Sequence, residues 1–276
     1  MTTSRSDIQL WRAPELQAEL LRGRFVDFEY GVHTHETACF ALLTRGAIRI
    51  RMRGQAFVAR AGDLYAIDAD EPHAGWPVDA QGWQQRTLYV DLQHLRRLAG
   101  DERAAASGAL AAPLLHDREL ADQLYAVHRC SQVGGPALLR DQAYVAFATR
   151  LMRRHVRAPQ RAAPAPPEHA AVRTARHYLD AHLGDHVSLG DVAGAAGLPP
   201  FQLLRAFERS QGMTPHAYQR QARVRLAMRL IRERHALREV GAQVGFADQA
   251  HLTRWFRRLM GITPGQYRRA VLGDRP

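Results

Sequence analysis

The chain has 276 residues, of which 46% are hydrophobic and 24% are charged, and its formal net charge is +11. This length suffices for about two domains, each with its own core. Two cysteines, Cys39 and Cys130, are too few for a disulfide scaffold, and the sequence contains neither an apolar run of 18 residues nor a signal-peptide pattern. The composition argues against membrane-spanning and disulfide-rich secreted classes, and we expect a soluble, cytoplasmic protein.

The first part of the chain, from about residue 24 to 92, is predicted to form β-strands. Turn residues separate short segments rich in aromatic and branched side chains: RFVDFEYG, ACFALLTRG, AIRIRMRG, QAFVARAGD, LYAIDADEPH and QQRTLYVDL. This pattern predicts a small antiparallel barrel or sandwich whose interior is large enough for one small ligand. The side chains expected as its lining or core are Phe25, Phe28, Phe40, Leu42, Ile48, Ile50, Tyr65, Ile67 and Trp76.

Two helices and a linker are predicted after the strands. Apolar periodicity indicates helices over about 118–132 and 136–156. The second helix carries a broad apolar face: Leu138, Leu139, Ala143, Tyr144, Phe147, Leu151 and Met152. Either its own domain or a second subunit covers this face, and both alternatives stay open. Residues 157–169 contain four prolines among small and charged residues, which predicts a semi-extended linker.

The C-terminal part of the chain contains one helical unit twice. Five residues recur 48 positions later: Leu189, Val192, Ala193, Gly197 and Leu198 correspond to Leu237, Val240, Gly241, Gly245 and Phe246. Seven more recur 49 positions later: Leu203, Arg205, Phe207, Gly212, Thr214, Pro215 and Tyr218 correspond to Leu252, Arg254, Phe256, Gly261, Thr263, Pro264 and Tyr267. Each copy predicts a short helix, a turn with glycine, and a second helix with apolar residues inward and arginine outward, which is a helix-turn-helix. Two such units in tandem indicate a protein that reads two adjacent DNA grooves.

Residues 214–232, between the two copies, predict one long helix. Pro215 is tolerated in a first turn, and no proline or glycine follows it in this segment. About 17 to 19 helical residues span roughly 25–29 Å, close to the roughly 34 Å between successive major grooves. Residues 168–276 carry a net charge of +8 and residues 1–167 only +3, and every basic residue is arginine. The basic excess predicts a polyanionic partner for the duplicated part.

The duplicated part reads LGDVAGAAGLPPFQLLRAFERSQGMTPHAYQRQARVRLAMRLI and then LREVGAQVGFADQAHLTRWFRRLMGITPGQYRRA. Over about residues 170–271 it resembles the DNA-binding domain of AraC/XylS-type transcriptional regulators. A looser resemblance connects the first part to the cupin-like effector domain of that family, through GVHTH at 31–35, TRG at 44–46 and ARAGDLYAIDADEPHAG at 59–75. The resemblance implies seven helices in the DNA-reading domain, an N-terminal barrel that senses a small molecule, and dimerisation through helices next to the barrel.

The predicted fold class is therefore α+β. An N-terminal cupin-like β-barrel with helices precedes an all-α DNA-binding domain with two helix-turn-helix motifs. The predicted domains are a cupin-like effector domain at 1–115, a helical dimerisation or packing segment at 116–156, the linker at 157–169 and the DNA-binding domain at 170–276.

The resemblance places the two DNA-reading helices at about 200–210 and 248–259. The side chains expected to face DNA are Phe201, Gln202, Arg205 and Arg209 in the first helix and Gln249, His251, Arg254 and Arg257 in the second. Glutamine and arginine pair bidentately with adenine and guanine edges. The residues expected in the core are Leu203, Phe207, Leu252, Trp255 and Phe256, and those expected at phosphates or on a solvated face are Arg220 and Arg223. Pro199, Pro200 and Phe201 depart from the small polar cap of the family, which leaves the first helix start less defined.

Three histidines of the first part, His33, His35 and His73, match ligand positions of metal-dependent cupins, whereas Cys39 occupies the usual glutamate position. Three interpretations stay open: pocket-lining or structural residues, a structural or sensory metal bound with Cys39, and a catalytic metal. The first is favoured, so we expect neither a metal nor another cofactor. With Arg45, the three histidines are the candidate effector ligands, because a few polar groups converge in most small-molecule pockets.

Three functional classes fit these features. They are a one-component transcription factor, a cupin enzyme fused to a DNA-binding domain, and an architectural DNA-binding protein. Cys39 disfavours a complete catalytic metal set, and an architectural protein has no need of a ligand-binding barrel.

We therefore expect a sequence-specific regulator that is not an enzyme. Its expected partners are double-stranded promoter DNA, a small-molecule effector and a second copy of the chain in a homodimer; RNA polymerase is a further candidate and a membrane is not. The effector, the operator and the direction of regulation are not given by the sequence.

Overall fold

The computed structural model describes residues 7–100, 109–157 and 167–273. They divide into two compact units, one made of most residues before 160 and the other of most residues from 161 to 272. Each unit has its own buried core. The predicted α+β fold class is confirmed, because the first unit is rich in strands and the second is helical.

The N-terminal unit is built around one antiparallel sheet. Its strands are β1 (Asp7–Ala13), β2 (Ala18–Phe25), β3 (Tyr30–His33), β4 (Ala38–Met52), β5 (Gln55–Arg60), β6 (Leu64–Ile67), β7 (His73–Pro77), β8 (Trp83–Val90), β9 (Ala109–Leu110), β10 (Leu114–Leu115) and β11 (Val156–Arg157). The main hydrogen-bonded order is β1-β2-β8-β4-β6-β10, with β5 and β7 paired to the second half of β4 and β3 paired to β7. The short strands β9 and β11 pair separately.

This sheet does not close into the expected barrel. Among the described residues, β1 pairs with β2 alone and β10 with β6 alone, so the order has two free ends. The turn predicted at Gly46 is also absent, because residues 38–52 form one continuous strand that changes partners along its length. Gly46 has a φ of +67°, and a Cβ atom there would lie 2.1 Å from the carbonyl oxygen of Gly82. Glycine at this position therefore marks an irregularity inside a strand rather than its end.

Three helices of the N-terminal unit pack on one face of the sheet. They are α1 (Leu92–Leu98), α2 (Arg118–Val133) and α3 (Ala137–His155). Phe40 of β4 contacts Phe147 of α3 edge-on, with ring centroids 5.5 Å apart, and Leu42 belongs to the same core. Phe40 and Leu42 therefore face the helices, because alternate residues of a strand lie on opposite faces. Both side chains belong to the core, which is one of the two alternatives, lining or core, that the sequence left open.

The apolar face predicted for α3 divides into two parts. Tyr144, Phe147 and Leu151 are buried within their own unit. Leu138 and Leu139, nearer the start of the helix, remain 80% and 53% exposed. The unit's own core therefore accounts for only part of the apolar surface of this helix.

Asp117 joins the beginning of α2 to the end of α3. Its carboxylate caps α2 by accepting from the Leu120 backbone N–H at 3.1 Å, and it accepts from Arg150 at 2.8 Å and from His155 at 2.9 Å. Burial alone would raise the pKa of Asp117, but these hydrogen bonds, of which that of His155 is the strongest influence, lower it to about 2. The negative charge of this carboxylate is therefore stabilised by the fold.

The C-terminal unit consists of seven helices within the described residues. They are α4 (Pro167–Ala181), α5 (Leu189–Ala196), α6 (Pro200–Gln211), α7 (Pro215–Arg232), α8 (Leu237–Gln243), α9 (Gln249–Met260) and α10 (Pro264–Leu272). The predicted long helix and both predicted reading helices are confirmed to within about one residue. Of the predicted linker, residues 158–166 lie outside the described residues, and α4 already begins at Pro167. In the described parts of the chain, no helix is long and apolar enough to cross a membrane.

Asp117→Asn should lower the free energy of unfolding by about 1–3 kcal/mol at neutral pH, because the side chains of Arg150 and His155 lose the ionised carboxylate that accepts their hydrogen bonds. The folded-state pKa lies below the ordinary 3.8, so this contribution is present above about pH 4 and is lost as the pH falls toward 2. Urea unfolding of wild type and variant, followed by circular dichroism, should show a difference that shrinks below about pH 4. Asp122→Asn, at an exposed position on α2, is the control and should have little effect. An equally large difference at pH 3 and pH 7 would contradict this assignment.

Candidate nucleic-acid interface and ligand site

In the C-terminal unit, the packing of α6 on α7 is repeated by that of α9 on α10. Phe207 contacts Tyr218 with ring centroids 5.6 Å apart, and Phe256 contacts Tyr267 at 5.5 Å. All four rings are buried. These pairs are equivalent positions of the sequence repeat, and α6 and α9 have the same length. The repeat is therefore a structural duplication, with α7 between the two copies.

Polar caps define where several of these helices begin. Ser188 and Asp191 form a capping box at α5, Thr214 caps α7, and Asp248 caps α9 by accepting from the His251 backbone N–H at 2.6 Å. Pro199 precedes α6 without a side-chain cap, and Pro200 occupies its first turn. The first reading helix thus begins where predicted, because proline at the first position has a suitable φ and has no N–H that needs an acceptor.

Arg223 of α7 ties the two copies together. Its Nε donates to the carbonyl oxygen of Leu183 at 2.7 Å and one Nη donates to that of Asp185 at 3.0 Å, both before α5. The other Nη donates to the carbonyl oxygen of Gly245, in the turn between α8 and α9. Gly245 has a φ of +81°, and a Cβ atom there would lie 2.5 Å from the Leu183 oxygen. Arg223 is therefore a structural residue, which corrects the expectation of a phosphate contact or a solvated face.

The exposed side of α6 carries the residues predicted for the first reading helix. Phe201 is 68% exposed, and Gln202 and Arg205 are also exposed. The Arg205 guanidinium lies over the Phe201 ring, 5.4 Å from its centroid. Arg209 is exposed but donates to Glu168 of α4 at 2.7 Å, so DNA would have to compete with this ion pair.

The corresponding side of α9 carries Gln249, Arg254 and Arg257, all exposed. His251 is only half-buried, because its ring packs edge-on against Phe246 with centroids 5.1 Å apart. Its Nε2 accepts a hydrogen bond from Trp255 Nε1 at 3.0 Å. In this arrangement Nε2 is the acceptor, and Nδ1 is the nitrogen of His251 that remains for a further contact.

Four of the five residues predicted for the core of the reading helices are buried, and Trp255 is not. The Arg220 guanidinium stacks over the Trp255 ring at 4.1 Å, and that of Arg258 lies 5.2 Å away. This tryptophan thus holds two arginines beside α9 by cation–π contact. The helical periodicity predicted that Trp255 faces inward. The nearby arginines were the signal in the sequence that could have indicated a position at the edge of the core.

Two of the histidines predicted for the effector site, His35 and His73, are adjacent in the N-terminal unit. His33 is grouped with the other compact unit, and its Nδ1 lies 2.8 Å from the carbonyl oxygen of Gly31. The rings of His35 and His73 are 4.9 Å apart, and that of His35 packs edge-on to Tyr89 at 5.1 Å. The Nδ1 of His73 is 2.9 Å from the carbonyl oxygen of Glu71.

The two adjacent imidazoles of His35 and His73 offer nitrogen donors that suit a transition-metal ion, but the predicted cysteine ligand is not grouped with them. Cys39 is buried on β4 and belongs to no metal-ligand cluster among the described residues. Burial raises the pKa of the Cys39 thiol, which favours the neutral thiol over the thiolate that binds metals. Cys39 therefore does not complete the site of three histidines with one cysteine, which the sequence had left open as an alternative.

The sheet face opposite the helices carries an aromatic and polar network. Gln85 accepts hydrogen bonds from Tyr65 Oη and Trp83 Nε1, each at 2.9 Å, and donates to Thr87 Oγ1 at 3.0 Å. The Trp83 ring stacks on Phe25 with centroids 4.7 Å apart. These contacts fix the side chains on this face of the sheet.

Arg45, the fourth residue predicted for the effector site, lies apart from the histidines. It is exposed and lines a cleft together with Arg22 and Arg86. None of the three histidines lines this cleft. The pairing of β4 with β8 explains this separation, because its register shifts between Leu43 and Arg45.

Two family profiles match the chain. One described as a helix-turn-helix domain matches residues 192–270, and one described as an AraC-like ligand binding domain matches residues 15–147. The uncharacterized HTH-type transcriptional regulator YbfI of Bacillus subtilis (strain 168) is 24% identical over 242 residues, which are 87% of each chain. The arabinose operon regulatory protein of Escherichia coli (strain K12) is 25% identical over 232 residues, 82% of this chain and 78% of that protein.

A solved structure has the same fold over its whole length. ToxT from Vibrio cholerae O395 aligns with a TM-score of 0.53 at 10% identity, covering 99% of this chain and 100% of that one. Together with the helix-turn-helix repeat, these findings define a DNA-binding transcriptional regulator with a ligand-binding domain. The chain belongs to the AraC family of transcriptional regulators, and the resemblance seen in the sequence is confirmed.

Gly245→Ala should destabilise the C-terminal unit by about 1–3 kcal/mol, because it forces an L side chain into a left-handed conformation and against the Leu183 carbonyl. Gly194→Ala, inside α5 where an added Cβ meets nothing within 4 Å, is the matched control and should be neutral or slightly stabilising. Urea unfolding followed by circular dichroism measures both. Equal effects of the two substitutions would show that the contact between Arg223, Leu183 and Gly245 contributes little.

Proposed function

We propose that this regulator reads a specific DNA sequence by inserting α6 and α9 into two successive major grooves. The observation that carries the proposal is the structural duplication, which places Arg205 and Arg254 at equivalent exposed positions of the two helices. Each helix also carries one exposed glutamine, Gln202 or Gln249. The base-reading residues are Gln202 and Arg205 in α6 and Gln249 and Arg254 in α9. Phe201, Arg209, His251 and Arg257 are proposed as flanking contacts to DNA.

The length of α7 supports this placement. Its 18 residues span about 27 Å, which is of the order of one DNA turn. The arginines around Trp255 supply positive charge at the edge of α9, where a phosphate oxygen is a suitable partner. Base contacts then give specificity and these phosphate contacts give affinity.

Arg254→Ala should weaken operator binding by about 1–3 kcal/mol and relax the preference at one base position, because a bidentate contact to a base edge is lost. Arg229→Ala removes the same charge from an exposed position of α7 and should leave base preference unchanged. Operators selected from random duplexes, with affinities measured by fluorescence anisotropy at two salt concentrations, give the comparison. If Arg254→Ala weakens all sequences equally and only reduces the salt dependence, Arg254 contacts a phosphate and the base-reading assignment is wrong.

For the ligand-binding domain, we propose that the effector binds at the histidines, with His35 and His73 as its main contacts. Their rings are adjacent and lie beside Tyr89, which provides polar nitrogens next to an apolar ring, as small-molecule sites commonly do. The related fold of ToxT has been crystallised with an unsaturated fatty acid bound, which supports a small organic ligand as the effector class. Binding acts by favouring one of two existing arrangements of the protein.

A His35→Ala/His73→Ala double variant should keep its DNA affinity without effector but lose the response to effector in a reporter assay. His116→Ala, at an exposed position of the same unit, is the control and should respond as wild type. Circular dichroism establishes that the variants are folded. A folded double variant with a normal response would place the effector elsewhere and make these histidines structural.

We also propose that the protein is a homodimer through α3. The exposed Leu138, Leu139 and Val145 on this helix form apolar surface that its own core leaves uncovered. A patch of this kind on a regulator is typical of an interface between subunits. Sedimentation of wild type as a monomer at micromolar concentration would contradict this proposal.

The remaining parts of the proposal follow from the family. Relatives of the chain are named as transcriptional regulators, which supports a protein that works by binding and not by catalysis. We place it in the cytoplasm, where a bacterial-type regulator meets promoter DNA, and RNA polymerase is a proposed further partner. Measurement of metal in the purified protein tests the alternative of a cupin enzyme.

A further inference from the structure

A cleft in the N-terminal unit lies between the sheet and helix α2, apart from the histidines. It has a volume of about 560 Å³, and its walls include Arg22 of β2, Arg45 of β4, Arg86 of β8, and Arg118 and Tyr125 of α2. This volume is in the range of small-molecule sites. Four arginines from four different elements converge on it.

Arg86 is the buried member of this group, with only 7% of its surface exposed. One Nη donates to Nδ1 of His128 at 2.8 Å and to Oε1 of Gln132 at 2.9 Å. Its Nε and other Nη make no hydrogen bond to the residues that the structure describes, and no described carboxylate forms an ion pair with it. The side chain is therefore positioned, but its charge is not neutralised by the protein.

The partner that positions Arg86 is a neutral group. His128 is fully buried in α2, and its Nε2 donates to the carbonyl oxygen of Leu21 at 3.1 Å. Burial, together with the adjacent Arg86 charge, lowers the pKa of His128 to about 3, so the ring is uncharged at neutral pH. A neutral acceptor fixes the direction of the guanidinium without forming the ion pair that a buried charge usually requires.

The other charges around the cleft are mainly positive. Arg22 is half-buried and Arg45 is exposed, and neither forms an ion pair within the described residues. The carboxylate of Asp122, which also lines the cleft, is exposed and already lies 3.6 Å from Arg118. The Tyr125 ring, 5.2 Å from the Arg86 guanidinium, adds an aromatic wall. The cleft thus combines an excess of fixed positive charge with one apolar surface.

We propose that this cleft binds a small organic anion, whose carboxylate or phosphate group is held by Arg86 and Arg22 and whose apolar part packs on Tyr125. Arginine suits this role because its planar fork forms paired hydrogen bonds with either oxyanion. The site goes beyond the proposed effector site at His35 and His73 and does not depend on it. Because the ligand contacts both the sheet and α2, its binding stabilises the folded N-terminal unit.

The test uses the full chain without DNA, at constant ionic strength, with benzoate and phenyl phosphate as probes and benzamide as the neutral control. Isothermal titration calorimetry and the shift of the thermal unfolding midpoint measure binding, since a ligand that binds only the folded state raises that midpoint. We expect benzoate or phenyl phosphate to bind and benzamide to fail. The tighter of the two anions identifies the class as carboxylate or phosphate. Absence of binding by both anions, or equal binding of benzamide, overturns the proposal.

Variants locate the site. Arg22→Gln should weaken anion binding by about tenfold, the effect of losing one charge-assisted hydrogen bond. Arg51→Gln, on the exposed side of β4 and outside the cleft, removes the same charge and should leave binding unchanged. Arg86→Lys keeps the charge without the fork and should also weaken binding; if it does not fold, Arg22→Gln alone decides. Equal losses in the Arg22 and Arg51 variants would indicate general electrostatic attraction and overturn the site.

The histidine double variant separates this proposal from the effector proposal. His35→Ala/His73→Ala should bind the anion with wild-type affinity, because neither histidine lines the cleft. Loss of anion binding in that variant would assign the anion to the histidines and overturn the cleft site.

Discussion

The side chain of Arg223 links the two helix-turn-helix copies by hydrogen bonds. Its guanidinium bonds to backbone oxygens on both sides of the duplication, at Leu183 and Asp185 and at Gly245. These are carbonyl groups at helix ends and turns, which a helix itself leaves without donors. A single cation therefore satisfies three backbone acceptors and at the same time fixes where the second copy lies on α7.

The close contact at Gly245 requires glycine for both its positive φ and its missing Cβ. The proposed reading of two grooves depends on this fixed spacing, because each of the two helices would have to reach its groove without distorting the DNA.

Most of the C-terminal unit was predictable from the sequence, since its information is local. The repeat of apolar residues, turn glycines and Thr-Pro starts defines helix ends by capping and by the φ of proline, and these interactions involve neighbours in the chain. The residues that were misjudged form contacts between elements. Arg223 was expected at a phosphate or on a solvated face because its carbonyl partners lie 22 to 40 residues away. The Trp255 ring contacts Arg220 of α7, which periodicity alone does not reveal. His251 is an exception, because it pairs with Trp255 within α9 itself.

The N-terminal unit was less predictable because its strands pair over long distances. Alternation identified the strands but not the partners of β4, which pairs with four of them. Gly46 looked like a turn, whereas it accommodates the Gly82 carbonyl within a continuous strand. Through similarity to cupin ligands the sequence predicted that His35 and His73 lie together, and their rings are 4.9 Å apart in the structure. It also added Arg45, which the register of β4 places in the arginine cleft instead.

The central claim is that α6 and α9 are held at a fixed separation and read two successive major grooves. The most direct measurement is footprinting of the full chain on its selected operator, combined with operators that carry about five extra base pairs between the two half-sites. The account predicts two protected major-groove segments about 10 base pairs apart, and a large loss of affinity when the spacing is changed, because half a turn moves one groove to the opposite face. Protection of a single groove, or equal affinity at both spacings, would contradict it.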